Sequence, residues 1–173
     1  VQASDALDLR AMDESEGMIR PGNAADISSL VQVFYDSVRH GAGPEYSDKQ
    51  RAAWAPAPPD IDAWTKRLAE QLVLLDDRDG VIVGFMTMTD DGYIDLAFVA
   101  PTEIGTGVAK AIYTKLVAEA KTRGIASLYT QASARARKFF ERQGWRVDEA
   151  QKPVIRGVEL HNYKMSKQLD STG

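Results

Sequence analysis

The sequence points to an α+β domain in which helices come first, an antiparallel meander follows, and a strand-helix-strand unit and a final hairpin close the chain. Three observations carry this reading. Apolar residues recur at three- and four-residue steps in separate stretches between residues 27 and 72. The period then drops to two across residues 73–101, where the turn clusters "DDRDG" and "DDG" separate three apolar runs. Beyond residue 108 a helical pattern, the strand-like "IASLYTQ" and a second helical pattern alternate.

Taken in order, residues 1–17 are polar, acidic and aperiodic, so a mobile arm is expected ahead of a single domain over 18–170. A short strand is expected around Met18 to Pro21. Ile27, Leu30, Val31, Phe34 and Val38 then share one face of a helix, which "GAGPEY" ends. Ser47 and Gln50 have the spacing of a capping box for a second, short helix, with Tyr46 placed as its staple and Pro56, Pro58 and Pro59 ending it. Asp60 can cap a third helix with a stripe of Ile61, Trp64, Leu68 and Leu72. Asp91-Gly92, between alternating runs, signals a tight hairpin. Ala109, Ile112, Tyr113, Leu116 and Ala120 form the inward face of a fourth helix, with Gly124 at its C′ position. Ser133 caps a fifth helix that ends at Gly144, and "WRVDE" and "VELHNYKMSK" read as the last two strands.

Composition narrows the function classes. The chain has 173 residues, 44% hydrophobic and 27% charged, which suits one soluble globular domain. Apolar runs such as Val81 to Met86 are far too short to cross a bilayer. The opening residues do not read as a secretory leader, and a cytoplasmic setting is expected. There is no cysteine, which excludes disulfides, thiolate metal sites and a cysteine nucleophile and fits a reducing compartment. No metal is expected. A net charge of -4 argues against general nucleic-acid binding, although Arg135, Arg137, Lys138 and Arg142 form a local basic patch. Neither nucleic acid nor membrane is expected as a partner; a homodimer is compatible with the chain.

The stretch "TEIGTGVAKA" raises the question of phosphate binding. A P-loop needs Lys and then Ser or Thr directly after the last glycine, where Val108 and Ala109 stand. A dinucleotide fingerprint needs a third glycine at Lys110 and a parallel unit, whereas the preceding strand is the second arm of a hairpin with an antiparallel neighbour. A third reading keeps the physics: backbone N–H groups from Gly105 to Ala109 converge at a helix start, with the helix dipole behind them. Gly105 and Gly107 would let a diphosphate approach closely. On the turn alone, a phosphate cradle and a plain helix entry stand level.

The order of motifs separates them. A hairpin strand ending in "FVAP", a Gly-x-Gly-x-Ala turn and helix, a strand, and then Ser133, Ala136, Phe139, Phe140, Glu141, Arg142, Gly144 and Trp145 resemble the GNAT superfamily of acetyl-CoA-dependent N-acetyltransferases. The family's turn is Gln/Arg-x-x-Gly-x-Gly/Ala; Ile104 stands at the Gln/Arg position, Gly107 at the glycine and Ala109 at the last small residue. The resemblance covers residues 18–167. It extends to a bacterial subgroup whose first helices carry a pattern like "YS-x-x-Q-x-x-AWAP", here Tyr46 to Pro56.

That resemblance implies a central mixed, mostly antiparallel twisted sheet of about seven strands flanked by about five helices, splayed at the cofactor cleft. It implies transfer of an acetyl group from acetyl-CoA (coenzyme A) to a primary amine of a small molecule or peptide, by direct attack in a ternary complex. Phe98 and Val99 would offer backbone groups to the pantetheine arm and one N–H to the thioester carbonyl. Ile104, Gly105, Thr106, Gly107, Val108, Ala109 and Lys110 would surround the diphosphate. Ser133, Ala136, Phe139 and Phe140 would contact the cofactor from the fifth helix. Phe140 stands where many members carry a tyrosine proposed to protonate the leaving thiolate, and phenylalanine cannot donate a proton. A thiol titrating near ~8.5 leaves readily without an acid. The departures at Phe140 and Ile104 also suggest a second reading, an acyl-CoA-binding module with weak or no catalysis.

For the base, Asp95 interrupts the apolar run and alternates with Tyr93, Ala97 and Val99, opposite Ile94, Leu96 and Phe98. A carboxylate satisfied by its neighbours is the competing reading. Tyr163 is expected as a hydrogen-bonding wall of the catalytic site, and His161 is a weaker base candidate. The acceptor pocket would draw on Tyr35, His40, Tyr46 and Trp54, each of which also reads as a core or capping residue. If two of these aromatics line it, an amine with a flat or apolar portion fits.

Overall fold

The computed structural model describes residues 17–41 and 43–170, so the arm expected over residues 1–17 lies outside the described residues but for Gly17. In chain order the elements are β1 (Met18–Pro21), α1 (Ile27–Gly41), α2 (Asp48–Trp54), α3 (Ile61–Leu68), β2 (Leu72–Arg78), β3 (Val81–Met88) and β4 (Tyr93–Val99). Next come α4 (Val108–Thr122), β5 (Ser127–Ala132), α5 (Ala134–Arg142), β6 (Arg146–Gln151), the two-residue β7 (Val154–Ile155) and β8 (Val158–Glu159), and β9 (Asn162–Gln168). Seven strands form one sheet in the order β1-β2-β3-β4-β5-β9-β6, antiparallel except where β5 runs parallel to β4. The α+β expectation, the seven strands and the five α-helices all match.

Local chemistry starts the helices. At Ser47 the hydroxyl accepts from the Gln50 N–H while the Gln50 side chain accepts from the Ser47 N–H. The Asp60 carboxylate accepts from the Ala63 N–H and the Ser133 hydroxyl from the Ala136 N–H. Each bond satisfies an N–H that a helix start leaves orphaned.

Strand alternation divides the core into two layers. Val73, Leu75, Ile82, Phe85 and Leu96 face α1 and α3, meeting Leu30, Phe34, Trp64 and Leu68. Leu74, Val83 and Met86 face the other way, onto Ile112, Leu116 and Phe140 of α4 and α5. Gly84 permits this second contact, since a Cβ there would lie 2.8 Å from Val108 Cγ1.

Three expectations change. Leu72 does not extend the third helix; α3 stops at Leu68 and Leu72 opens β2, paired with Met88. The stretch Val158 to Lys167 is two strands rather than one, because Leu160 turns inward, 5% exposed, and separates the small β7–β8 ribbon from β9. Lastly, β4 breaks its alternation. Thr87 pairs with Leu96 but Met88 pairs with Ile94, so Asp95 is the extra residue of a bulge. Ile94 therefore joins the α4 layer, whereas Asp95 turns with Leu96 toward the α3 side.

Candidate active site

The bulge sets up the site. β4 and β5 pair only at Tyr93↔Tyr129 and Ile94↔Thr130, and the bulge then bends β4 away. Beyond it, the Leu96 N–H reaches Thr87 on β3 and the Ala100 N–H reaches the Val83 carbonyl, which puts even-numbered amides on the β3 side. In an antiparallel ladder the odd-numbered backbone groups, those of Ala97 and Val99, then face the gap. The strand thus presents a free backbone edge into the opening between β4 and β5. Phe98 contributes its ring to the site, while its backbone groups face β3.

A cavity of about 600 Å³ occupies this opening and passes from one face of the sheet to the other. On the α4/α5 side its walls include Met86, Ala97, Val99, Val108 and Phe140. On the α1/α2 side they include Val38, Tyr46, Trp54 and Phe98.

The turn before α4 forms one end. Gly107 is the residue preceding the helix and adopts φ +94°, and no side chain caps the helix there. Gly105 has φ +82°, and a Cβ built on either glycine would meet nothing within 4 Å. The turn is thus left-handed, which favours glycine, and it is open toward the cavity. The first N–H groups of a helix lack intrahelical partners and carry the positive end of its dipole, so the residues present fit a phosphate group. Ile104, Val108, Ala109 and Lys110 line the cavity with the two glycines. Thr106 is not among the lining residues: its N–H and its hydroxyl bond the Glu103 carbonyl at 3.2 and 2.6 Å. Ile104 points its side chain at the end of α1, within 3.0 Å of where a Gly41 Cβ would stand.

From α5, Ser133, Ala136, Phe139 and Phe140 all line the cavity. Phe140 is 1% exposed and packs on Trp145 at 4.6 Å and edge-on against Phe139 at 5.4 Å. The helix also divides the basic patch. Arg135, Lys138 and Arg142, at steps of three and four, reach the cavity, whereas Arg137 turns to Glu141 and to the face of Tyr163.

The structure does not bring every expected residue here. Asp95 lies outside the cavity lining, gripped by Arg67 at 2.7 and 2.8 Å and by Gln71 at 2.9 Å. Burial pushes this carboxyl up, but hydrogen bonds from Arg67 and Gln71 outweigh it and hold the group below the usual carboxylate range. A weakly basic, fully engaged carboxylate is a poor proton acceptor. Tyr163 lies under the Arg137 guanidinium, 4.5 Å from its ring centre, and away from the lining. Tyr35 carries Arg39 over its ring, and His40 is exposed in the last turn of α1; neither lines the cavity. Of the four expected acceptor residues, Tyr46 and Trp54 do. Tyr46 is not a staple: it stacks on His161 at 4.6 Å and packs against Trp54.

Sequence reasoning missed Ser37 and Gly41, although they continue the helical steps from Phe34 and Val38. It also missed Glu45 and Glu103. Glu45 crosses from the turn Gly43–Glu45 to bind Lys138 at 2.9 Å, with Arg135 at 3.7 Å. The Lys138 hydrogen bond holds the Glu45 carboxyl down. Glu103 binds Arg78 at 3.2 Å and accepts the Thr106 hydroxyl at 3.1 Å. Both pairs span elements far apart in the chain, so no local pattern announces them. Among the described residues there is no cluster of potential metal ligands, and no helix is long and apolar enough to cross a membrane.

Comparison with known proteins agrees with this geometry. Residues 42–167 match the family model described as an acetyltransferase (GNAT) domain. The chain is 31% identical over 147 residues to the Escherichia coli K12 protein named uncharacterized N-acetyltransferase YafP, covering 85% of this chain and 93% of that protein. A Rhodopseudomonas palustris structure titled as a GCN5-related N-acetyltransferase superposes with a TM-score of 0.82 at 31% identity, covering 88% of this chain and 96% of the other. The Salmonella typhimurium putative acetyltransferase yncA, whose structure contains acetyl-CoA, shares the fold with a TM-score of 0.67 at 22% identity, covering 89% and 94%. The through-sheet cavity, the uncapped glycine turn and these likenesses converge: the chain belongs to the GNAT family of acetyltransferases and is an acyltransferase.

Proposed function

We propose that the protein moves an acetyl group from acetyl-CoA to a primary amine by direct attack within the cavity. One observation carries the reading: the open, left-handed Gly105–Gly107 turn at the start of α4 shares a cavity with the unpaired backbone edge of β4. Bound acetyl-CoA supplies a thioester whose C–S bond breaks as the amine forms the new C–N bond. The turn holds the diphosphate through backbone N–H groups, with Lys110 and Arg142 adding charge. The Val99 or Ala97 N–H donates to the thioester oxygen, where negative charge grows during attack. Ser133, Ala136 and Phe139 line the pantetheine path, and Phe140 packs there without donating a proton. The departing thiolate takes its proton from water, which its low basicity allows. No side-chain base is assigned. Glu45 and Glu103 are both ion-paired, and Asp95 is held outside the lining, so the ammonium proton passes to solvent.

The test combines two measurements on one preparation. Acetyl-CoA should raise the melting temperature, and incubation with primary amines should release CoA. A rise in melting temperature without CoA release from any amine would favour the acyl-CoA-binding module instead. No rise at saturating acetyl-CoA would remove the cofactor assignment.

A further inference from the structure

We infer that the acceptor is a primary monoamine carried on a flat, uncharged, apolar body, with Trp54 as the residue that selects it; this rests on the acetyl-transfer reading above. The cavity leaves the cofactor side through the β4–β5 gap and reaches the α1/α2 side among Val38, Tyr46, Trp54 and Phe98. The Trp54 ring is tilted against Tyr46 at 5.4 Å and against Phe98 at 6.1 Å, while Phe34 supports it edge-on from behind at 6.4 Å. Tyr46 offers this end a ring and no free hydroxyl. Its O–H donates to the His161 carbonyl at 2.7 Å and accepts the Ala134 N–H at 3.0 Å. The wall is therefore aromatic and already rigid, which suits a planar apolar body at little ordering cost.

Charge accounting disfavours the main alternatives. A diamine or polyamine would bring a second ammonium group that needs an anion inside the cavity. Each lining carboxylate already faces cations: Glu45 bonds Lys138 through Oε1 and has Arg135 3.7 Å from Oε2, which makes no hydrogen bond among the described residues, and Glu103 pairs with Arg78. An amino acid or acidic peptide would bring a carboxylate that needs a cation. The four lining cations, Lys110, Arg135, Lys138 and Arg142, all project from α4 and α5, the cofactor walls, where the CoA phosphates would take up their charge, and Val38, Tyr46, Trp54 and Phe98 supply none on the acceptor side. Ser37 is a neutral polar group on the acceptor side, able to orient an amine without fixing a second charge.

Three matched probes test this at saturating acetyl-CoA, with CoA release as the readout: 2-phenylethylamine, 1,4-diaminobutane and phenylalanine. The expected kcat/KM for 2-phenylethylamine is at least ~10-fold above either of the others, the scale of one apolar-pocket discrimination. Trp54→Ala should raise KM for 2-phenylethylamine by about 10-fold while KM for acetyl-CoA stays put, and Trp54→Phe should recover most of the loss. If Trp54→Ala proves unfolded by its melting curve, Ser37→Asp replaces it as the deciding variant; the added anion should shift preference toward 1,4-diaminobutane. Equal or better use of 1,4-diaminobutane or phenylalanine by the wild type would overturn the acceptor class while leaving acetyl transfer standing, as would an unmoved KM in a folded Trp54→Ala. Loss of the acetyl-CoA melting shift together with no CoA release is a different result, and it would remove the transfer reading itself.

Discussion

Asp76, buried, and Asp95, half-buried, are carboxylates two strands apart whose surroundings push them in opposite directions. Asp95 has two hydrogen bonds from Arg67 and one from Gln71, and its carboxyl is held below the usual range. Its contribution to stability is present above the unfolded value of ~3.9 and is lost as the pH falls through the lower folded value. Asp95→Asn at pH 7 should therefore cost about 1–2 kcal/mol in urea unfolding, less than for a fully buried pair because Arg67 is half exposed. CoA release per folded molecule should be unchanged; a tenfold slower but stable variant would restore Asp95 to catalysis. Asp76, 1% exposed, has neither oxygen hydrogen-bonded among the described residues; the Arg78 guanidinium lies at 3.6 Å, and Glu103 and Asp77 add like charge. Burial pushes its carboxyl up, partly offset by Arg78. The sign reverses: its stabilising contribution is present below ~3.9 and is lost as the pH rises through the raised folded value. Asp76→Asn should thus melt at or above the wild-type temperature at pH 7, and a clear drop would mean that the Arg78 attraction dominates. At Phe140, Tyr should leave acetyl-CoA affinity nearly unchanged and raise the rate if thiolate protonation limits turnover; a large loss of CoA binding would place this residue elsewhere in the mechanism.

At the scale of elements, the start of α4 is the most sensitive place in the chain. Gly107→Ala should lower stability by about 1 kcal/mol, because a side chain at φ +94° is strained although its Cβ would meet no neighbour. Gly107→Glu should in addition abolish the melting shift caused by acetyl-CoA, by placing a negative charge where a diphosphate would sit; an undiminished shift would refute the cradle. The capping residues Ser47, Asp60 and Ser133 were legible from local spacing because a cap is a contact within four residues. Leu72 was not: the apolar stripe of α3 runs on into it, and only pairing with Met88 assigns it to β2. The same limit hid the bulge at Asp95. "YIDLAFV" alternates without a fault, and the extra residue is visible only when β4 is laid against β3.

For the molecule as a whole, acetyl-CoA at 100 times its dissociation constant should stabilise the fold by about 2.7 kcal/mol, read as a melting temperature that keeps rising with the logarithm of ligand concentration. The order of motifs along the chain was enough to indicate the fold and the family, because periodicity, caps and glycine turns are short-range properties written in consecutive residues. The glycine turn and the Ser133-to-Phe140 face lie on such local elements, and they line the cavity as the family resemblance implied, with Thr106 diverted by its bonds to Glu103. Pairing across the sheet was decided elsewhere. The tertiary structure alone gave Asp95 to Arg67, tied Glu45 to α5, and drew Trp54 and Phe98 together at the far end of the cavity. These contacts join residues tens of positions apart, whose meeting depends on strand register and one bulge, and no stretch of neighbouring side chains encodes either.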